Sequence, residues 1–223
     1  LNLYVSEPAK AADACVIWMH GLGADAQDMA GLAEQLQVGV SLRHVFMDAP
    51  IRPVTLNQGM PMRAWYDILG MTLHDREDRL GILQSEVLIR EVIACQMADG
   101  FTSEQIYLAG FSQGGAMALF TGLQTPLSMG GIIALSAYLP LATECSFELP
   151  KSTPLFLAGG TFDPLVLPQW TKQTLNGIQA RGFLVAWHEY PIEHHISIEE
   201  VRDLGHWLNH RVTSLKRHEG DLE

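Results

Sequence analysis

The chain has 223 residues, 48% of them hydrophobic and 17% charged, a length and composition that favour one globular domain, spanning residues 1–223, over two. Fourteen Lys and Arg against 25 Asp and Glu give a net charge of −11, which argues against binding nucleic acid or anionic membrane surfaces, because both need clustered positive charge. The most apolar stretch, Gly130 to Ala142, is broken by Ser136, Tyr138 and Pro140 and falls short of the ~20 residues needed to cross a bilayer, so stable membrane insertion is not expected.

From the N-terminus, LNLYVSEPAKAADACV lacks the basic start, apolar middle and small-residue cleavage site of a secretory signal. The three cysteines, Cys15, Cys95 and Cys145, show no CxxC spacing. A cytoplasmic protein without a disulfide framework or zinc cage is therefore expected. The first buried strand spans Cys15 to Met19 and runs into the glycine-rich loop HGLGAD. A helix follows, with Asp25 as its cap, Met29, Leu32, Ala33 and Leu36 on one face, and Gly39 as its stop. A second strand covers His44 to Met47, and then a long loop gathers Met60, Met62, Trp65, Ile68, Leu69, Met71 and Leu73. Between Arg79 and Asp99, Ile82, Ile89, Ile93 and Met97 repeat at helical spacing, and Gly100 supplies a left-handed terminus.

The strand from Gln105 to Leu108 leads into Gly110-Phe111-Ser112-Gln113-Gly114, and a helix is expected over Ala116 to Leu123. G-x-S-x-G between strand and helix marks a sharp turn that pushes a serine Oγ into the open. Strands are also expected over Gly131 to Leu135, Pro154 to Leu157 and Leu184 to Tyr190. The segment Ser136 to Thr153 is too short for a separate cap domain. The last helix opens at Ser197 and Glu200, in capping-box relation, with Val201, Leu204 and Leu208 facing inward. Residues from about 212 to 223 read as a solvated tail. Strand and helix thus alternate, which predicts a mainly parallel sheet with helices on both faces and a site at the carboxyl ends of its strands.

If Ser112 is a nucleophile in such a sheet, its acid and base should follow it in chain order. Asp163, just after the strand PLFLAGG, is the one aspartate between Ser112 and His194. His188 alternates within a strand, while His206 and His210 stand four apart on the last helix without a third metal ligand at a recognisable spacing. His194 and His195, between the last strand and last helix, are the candidate bases, and spacing alone does not choose between them. These parts imply acyl transfer: a histidine takes the Ser112 proton, Asp163 holds its tautomer, and an acyl-serine is later hydrolysed. The backbone N–H groups of Gln113 and of Leu22, in HGLG, are the expected oxyanion donors.

Taken together, HGLGAD, APIRPVTLNQGMPMRAWYD, AGFSQGGAM, LSAYLP, GTFDPLV and YPIEH resemble the acyl-protein thioesterase and carboxylesterase family of α/β-hydrolases. The resemblance implies the α/β-hydrolase fold with a sheet of about seven strands. It also implies a serine esterase needing neither metal nor organic cofactor, acting on acyl esters or thioesters that include lysophospholipids and S-acylated proteins. It assigns the base to His194, with Ser112 and Asp163 as nucleophile and acid and Leu22 and Gln113 as oxyanion donors. The chain departs from the family pattern at Ala26, at Leu167-Pro168 and at Glu193, which adds a carboxylate beside His194. The methionine-rich loop, with Met71, Tyr138 and Leu167, is expected to contribute the acyl-binding wall, and Trp65 to be structural. Fold and triad do not fix the bond broken, so amide or lactone cleavage, and a catalytically silent binding module, are the alternatives. A monomer or weak homodimer is expected.

Overall fold

A computed structural model of the chain describes residues 2–73 and 77–220. Its elements run β1 (Leu3–Ser6), β2 (Ala14–Met19), α1 (Ala26–Glu34), β3 (Leu42–Met47), β4 (Ile51–Val54), β5 (Met60–Arg63), α2 (Arg79–Ala98), β6 (Ile106–Phe111), α3 (Gln113–Leu123), β7 (Gly131–Leu135), β8 (Leu155–Gly160), α4 (Pro168–Gln179), β9 (Val185–Tyr190) and α5 (Ile198–Gly220). Seven strands form one sheet in the order β1-β3-β2-β6-β7-β8-β9. All pairings are parallel except β1 with β3. This is the α/β-hydrolase fold, and the segment between β7 and β8 carries no cap domain.

Alternate residues of β2 serve the two faces. Cys15, Ile17 and Met19 pack with Ile82 and Ile89 of α2 and with the buried α3, whereas Val16 and Trp18 pack with Met29 of α1 and with Val201, Leu204 and Leu208 of α5. Helices therefore cover both sides, and the central strands are buried along their whole length, which is why they read as continuous apolar runs.

Two local signals behave as expected. Asp25 caps α1 by accepting the Gln27 N–H, and Gly100, at φ +106°, follows the end of α2. Others need correction. Helix α1 ends at Glu34 rather than Gly39, whose N–H instead donates to Asn209 Oδ1 on α5. β1 and the β4–β5 hairpin escaped the pattern. β1 is an exposed edge strand, and the hairpin sets Pro53 opposite Pro61, residues that argue against a strand. The departure Leu167-Pro168 is the start of α4, with Pro168 in its first turn, where its fixed φ suits helix and no N–H is needed.

The C-terminal end also differs from expectation. Helix α5 continues to Gly220 because Val212 is fully buried on the sheet and Lys216 pairs with Asp13 at 2.7 Å. The expected tail from 212 is therefore helical through 220, and residues 221–223 lie outside the described residues. At the other end of α5 the capping box is half formed. Ser197 Oγ accepts the Glu200 N–H at 3.1 Å, but both Glu200 carboxyl oxygens are buried without a partner. Burial, with Asp203 nearby, raises the Glu200 carboxyl to about 8, although the Ser197 bond opposes the shift. The folded state therefore keeps a proton that the unfolded chain releases above pH ~4.5, so this group's contribution to stability falls as pH rises towards 8. Glu200→Gln should remove that slope, gaining on the order of a few kcal/mol over wild type at pH 8 relative to pH 5, read from urea unfolding at the two pH values.

Candidate active site

The sheet register brings the site together. Met19 at the end of β2 lies opposite Gly110 of β6, so the His20-Gly21-Leu22 loop leaves the sheet beside Phe111 and Ser112. Gly160 of β8 lies opposite Tyr190 of β9, so the loops carrying Asp163 and His194 also emerge side by side. Strands from distant parts of the chain thus deliver their following loops to one edge.

Ser112 sits between β6 and α3 with φ 55° and ψ −118°, outside the ordinary basins for a residue with a side chain. Its N–H is held by Leu135 O at 2.8 Å. The turn is so tight that a Cβ at Gly110 would overlap the backbone of Gly114, and one at Gly114 the backbone of Met19. The flanking glycines therefore permit the close approach of β6, α3 and the end of β2.

His194 Nε2 lies 2.8 Å from Ser112 Oγ, and Nδ1 lies 2.7 Å from Asp163 Oδ2. The other Asp163 oxygen, Oδ1, accepts the N–H groups of Leu165 and Val166 at 2.8 and 2.9 Å. Burial would raise the Asp163 carboxyl, but the His194 bond and these two backbone donors hold it below the usual range. An ionised Asp163 only accepts, so Nδ1 carries the imidazole proton and Nε2 is free to accept from Ser112. Phe111 packs on the ring, with centroids 4.9 Å apart. His195, by contrast, is an exposed rim residue, and Glu193 is exposed too.

The glycine-rich loop is anchored by neutral and ionic bonds. His20 is fully buried; its Nδ1–H donates to Gly21 O at 2.7 Å and its Nε2 accepts the Ala49 N–H at 3.0 Å. Burial lowers its pKa, keeping the ring neutral as that pattern demands. Gly23, at φ +76°, turns the loop and bonds through its N–H to Arg63 O. Asp48 accepts the Ala26 N–H and pairs with Arg63. Ala26, a departure from the family pattern, is thus the buried first residue of α1.

A cavity of about 470 Å³ opens over Ser112, bordered by Leu22, Gln113, Tyr138 and His194. Ile68 of the methionine-rich loop lines it, and Trp65 is buried behind it. Met71 and Leu167 do not line this cavity, contrary to expectation. Met71 is 73% exposed, Leu167 packs against the Tyr138, Val166 and Trp170 cluster, and both border a separate groove beside Trp170. Leu56, Tyr66, Phe111, Leu165 and Val166 are lining residues that the sequence did not single out. Phe111, Leu165 and Val166 had a usable signal, since each lies within three residues of a triad candidate. Leu56 and Tyr66 lie within the motif APIRPVTLNQGMPMRAWYD, but only the hairpin's position brings them over the sheet edge. His206 and His210 are exposed on α5, and the described residues contain no cluster of three or more potential metal ligands.

The model of the phospholipase/carboxylesterase family matches residues 2–212. Among curated proteins, the chain is 38% identical over 215 residues to acyl-protein thioesterase 1 of Mycosarcoma maydis, covering 87% of this chain and 90% of that protein. It is 35% identical over 218 residues to acyl-protein thioesterase 1 of Yarrowia lipolytica, covering 92% and 95%. Among solved structures, Arabidopsis thaliana SOBER1 superposes with a TM-score of 0.84 at 28% identity, covering 89% of this chain and 99% of that one. Zea mays acyl-protein thioesterase 2, at 24% identity, shares the fold with a TM-score of 0.85 over 95% and 99%.

Proposed function

The chain belongs to the phospholipase/carboxylesterase family and is a hydrolase of esters and thioesters, and from that premise we propose that Ser112, His194 and Asp163 carry the reaction. Ser112 Oγ attacks the acyl carbonyl while its proton passes to His194 Nε2. The carbonyl oxygen, now negative, is received by the backbone N–H groups of Leu22 and Gln113. Collapse of the tetrahedral species breaks the bond to the alcohol or thiol, which takes the proton from His194 and leaves an acyl-serine. Water then repeats the sequence, losing a proton to His194 and restoring Ser112. Asp163 holds the productive tautomer and favours the imidazolium formed in each step.

The observation that carries this proposal is the unbroken line from Asp163 Oδ2 through His194 to Ser112 Oγ, with links of 2.7 and 2.8 Å, opening into the cavity described above. The cavity's largely apolar border of Leu22, Leu56, Tyr66, Ile68 and Tyr138 suits an acyl chain. S-acylated protein is the proposed physiological substrate, after the names of the relatives, with small acyl esters as surrogates. Among the described residues no helix is long and apolar enough to cross a membrane, and the three cysteines are unpaired. Cytoplasmic residence and a monomer or weak homodimer complete the proposal.

A fluorophosphonate probe should label Ser112, lose all labelling in Ser112→Ala and label His194→Ala far more slowly. Parallel assays with p-nitrophenyl esters of graded chain length, a palmitoyl-cysteine peptide and an anilide should show ester and thioester cleavage well above amide cleavage. Folded wild-type protein that neither labels nor hydrolyses any of these would overturn the proposal.

A further inference from the structure

The oxyanion donors and the acyl wall meet in one buried network. The Gln113 side chain, 4% exposed, reaches back across 48 positions. Its Oε1 accepts the Trp65 N–H at 2.8 Å and its Nε2 donates to Tyr66 O at 2.7 Å. The carboxamide thus pairs with the backbone of two consecutive residues. The other polar groups of Trp65 are engaged as well: its carbonyl accepts from Ser85 Oγ, and its indole N–H donates to His20 O at 2.9 Å. His20 stands two residues before Leu22. The Trp65-Tyr66 segment is therefore joined to one proposed oxyanion donor through the Gln113 carboxamide and to the other through His20. On its far side, Tyr66 and Ile68 line the cavity over Ser112, and Tyr66 Oη lies 3.2 Å from Tyr138 Oη.

We infer that Gln113 acts through its side chain as a positioning residue, locking the acyl wall at Trp65-Tyr66 to the oxyanion donors so that acyl-chain binding raises turnover and not affinity alone. This rests on the function proposed above. An acyl chain pressed against Tyr66 and Ile68 bears on a rigid strip whose opposite edge fixes the donor N–H groups. Binding energy from a group remote from the reacting carbon is then expressed where negative charge develops, in both acylation and deacylation. Without the carboxamide, the Trp65 N–H and Tyr66 carbonyl lose their buried partner and the strip is free to shift under the chain. The chain would still bind, but no longer hold the donors to the carbonyl oxygen.

The test compares kcat and KM for p-nitrophenyl acetate and octanoate in wild type, Gln113→Met, which keeps length but makes neither bond, and Gln113→Glu, which keeps the acceptor for Trp65 N–H alone. Wild-type kcat should rise from acetate to octanoate. In Gln113→Met that rise should shrink by about tenfold or more with KM for octanoate changed less than threefold, and Gln113→Glu should fall between. Trp65→Phe, which removes the bond to His20 O without touching Gln113, should shift the same ratio in the same direction and covers the case in which Gln113→Met does not fold. Equal loss of kcat for both esters, a change in KM alone, or a wild-type kcat indifferent to chain length would overturn the inference. Fluorophosphonate labelling of wild type separates the two levels: labelled enzyme with an unchanged ratio in the variants defeats the role of Gln113 only, whereas unlabelled wild type defeats the proposed function.

Discussion

Asp163→Asn is expected to lower kcat for ester hydrolysis by about 10⁴-fold while leaving the fold intact, the scale seen for the equivalent change in another serine hydrolase. The reason lies in how the two carboxylate oxygens are used. Oδ1 accepts from the Leu165 and Val166 N–H groups, and an asparagine keeps its carbonyl oxygen there, because the reverse orientation would set its NH₂ against two donors. The amide NH₂ must then face His194 Nδ1, which becomes the acceptor. The imidazole proton moves to Nε2, 2.8 Å from Ser112 Oγ, where a base is required. The variant also lacks the negative charge that would favour an imidazolium. Steady-state kinetics on p-nitrophenyl esters, with a thermal melt to confirm folding, read the effect. A loss under tenfold in the folded variant would mean that Asp163 does not set the tautomer.

Gly114→Ala is expected to cost more than about 3 kcal/mol of stability, beyond the usual range for one added methyl group. The new Cβ would fall inside the backbone of Met19 and close to His20 O, atoms of the sheet and oxyanion loop rather than the ends of flexible side chains. Relief requires α3 and β2 to separate, and both are buried throughout. For a domain of this size the melting temperature should drop by roughly 6 °C or more, and protein that still folds should lose fluorophosphonate reactivity, since the shift displaces the loop carrying Leu22. Gly31→Ala, on the exposed face of α1 where nothing lies within 4 Å of the added Cβ, is the control and should be neutral or slightly stabilising.

The six parallel strands and the long helices were readable because each signal is local. Ile82, Ile89 and Ile93 recur at helical spacing, and buried parallel strands appear as short apolar runs. Ser112 was readable because its turn demands glycines at 110 and 114, and Asp163 because a single aspartate precedes the candidate bases. Elimination left His194 and His195 together; the family resemblance separated them, and the coordinates place His194 between Ser112 and Asp163. The acyl wall was only partly legible. Hydrophobicity pointed to the whole segment from Met60 to Leu73, yet only some of it meets the cavity, since exposed Met71 and buried Trp65 are equally apolar in sequence. The half-formed capping box at Glu200 likewise shows that spacing can specify a backbone bond without specifying where the carboxyl goes.

By itself, then, the sequence determined the alternation of buried parallel strands with helices, the strained serine turn and the residue types able to move a proton, because those depend on neighbours along the chain. Only the tertiary structure decided how the loops carrying Asp163 and His194 meet beside Ser112, which apolar residues face the cavity, and that the Gln113 carboxamide holds Trp65 and Tyr66. Those outcomes depend on the register of non-adjacent strands, where contacts are made between residues tens of positions apart.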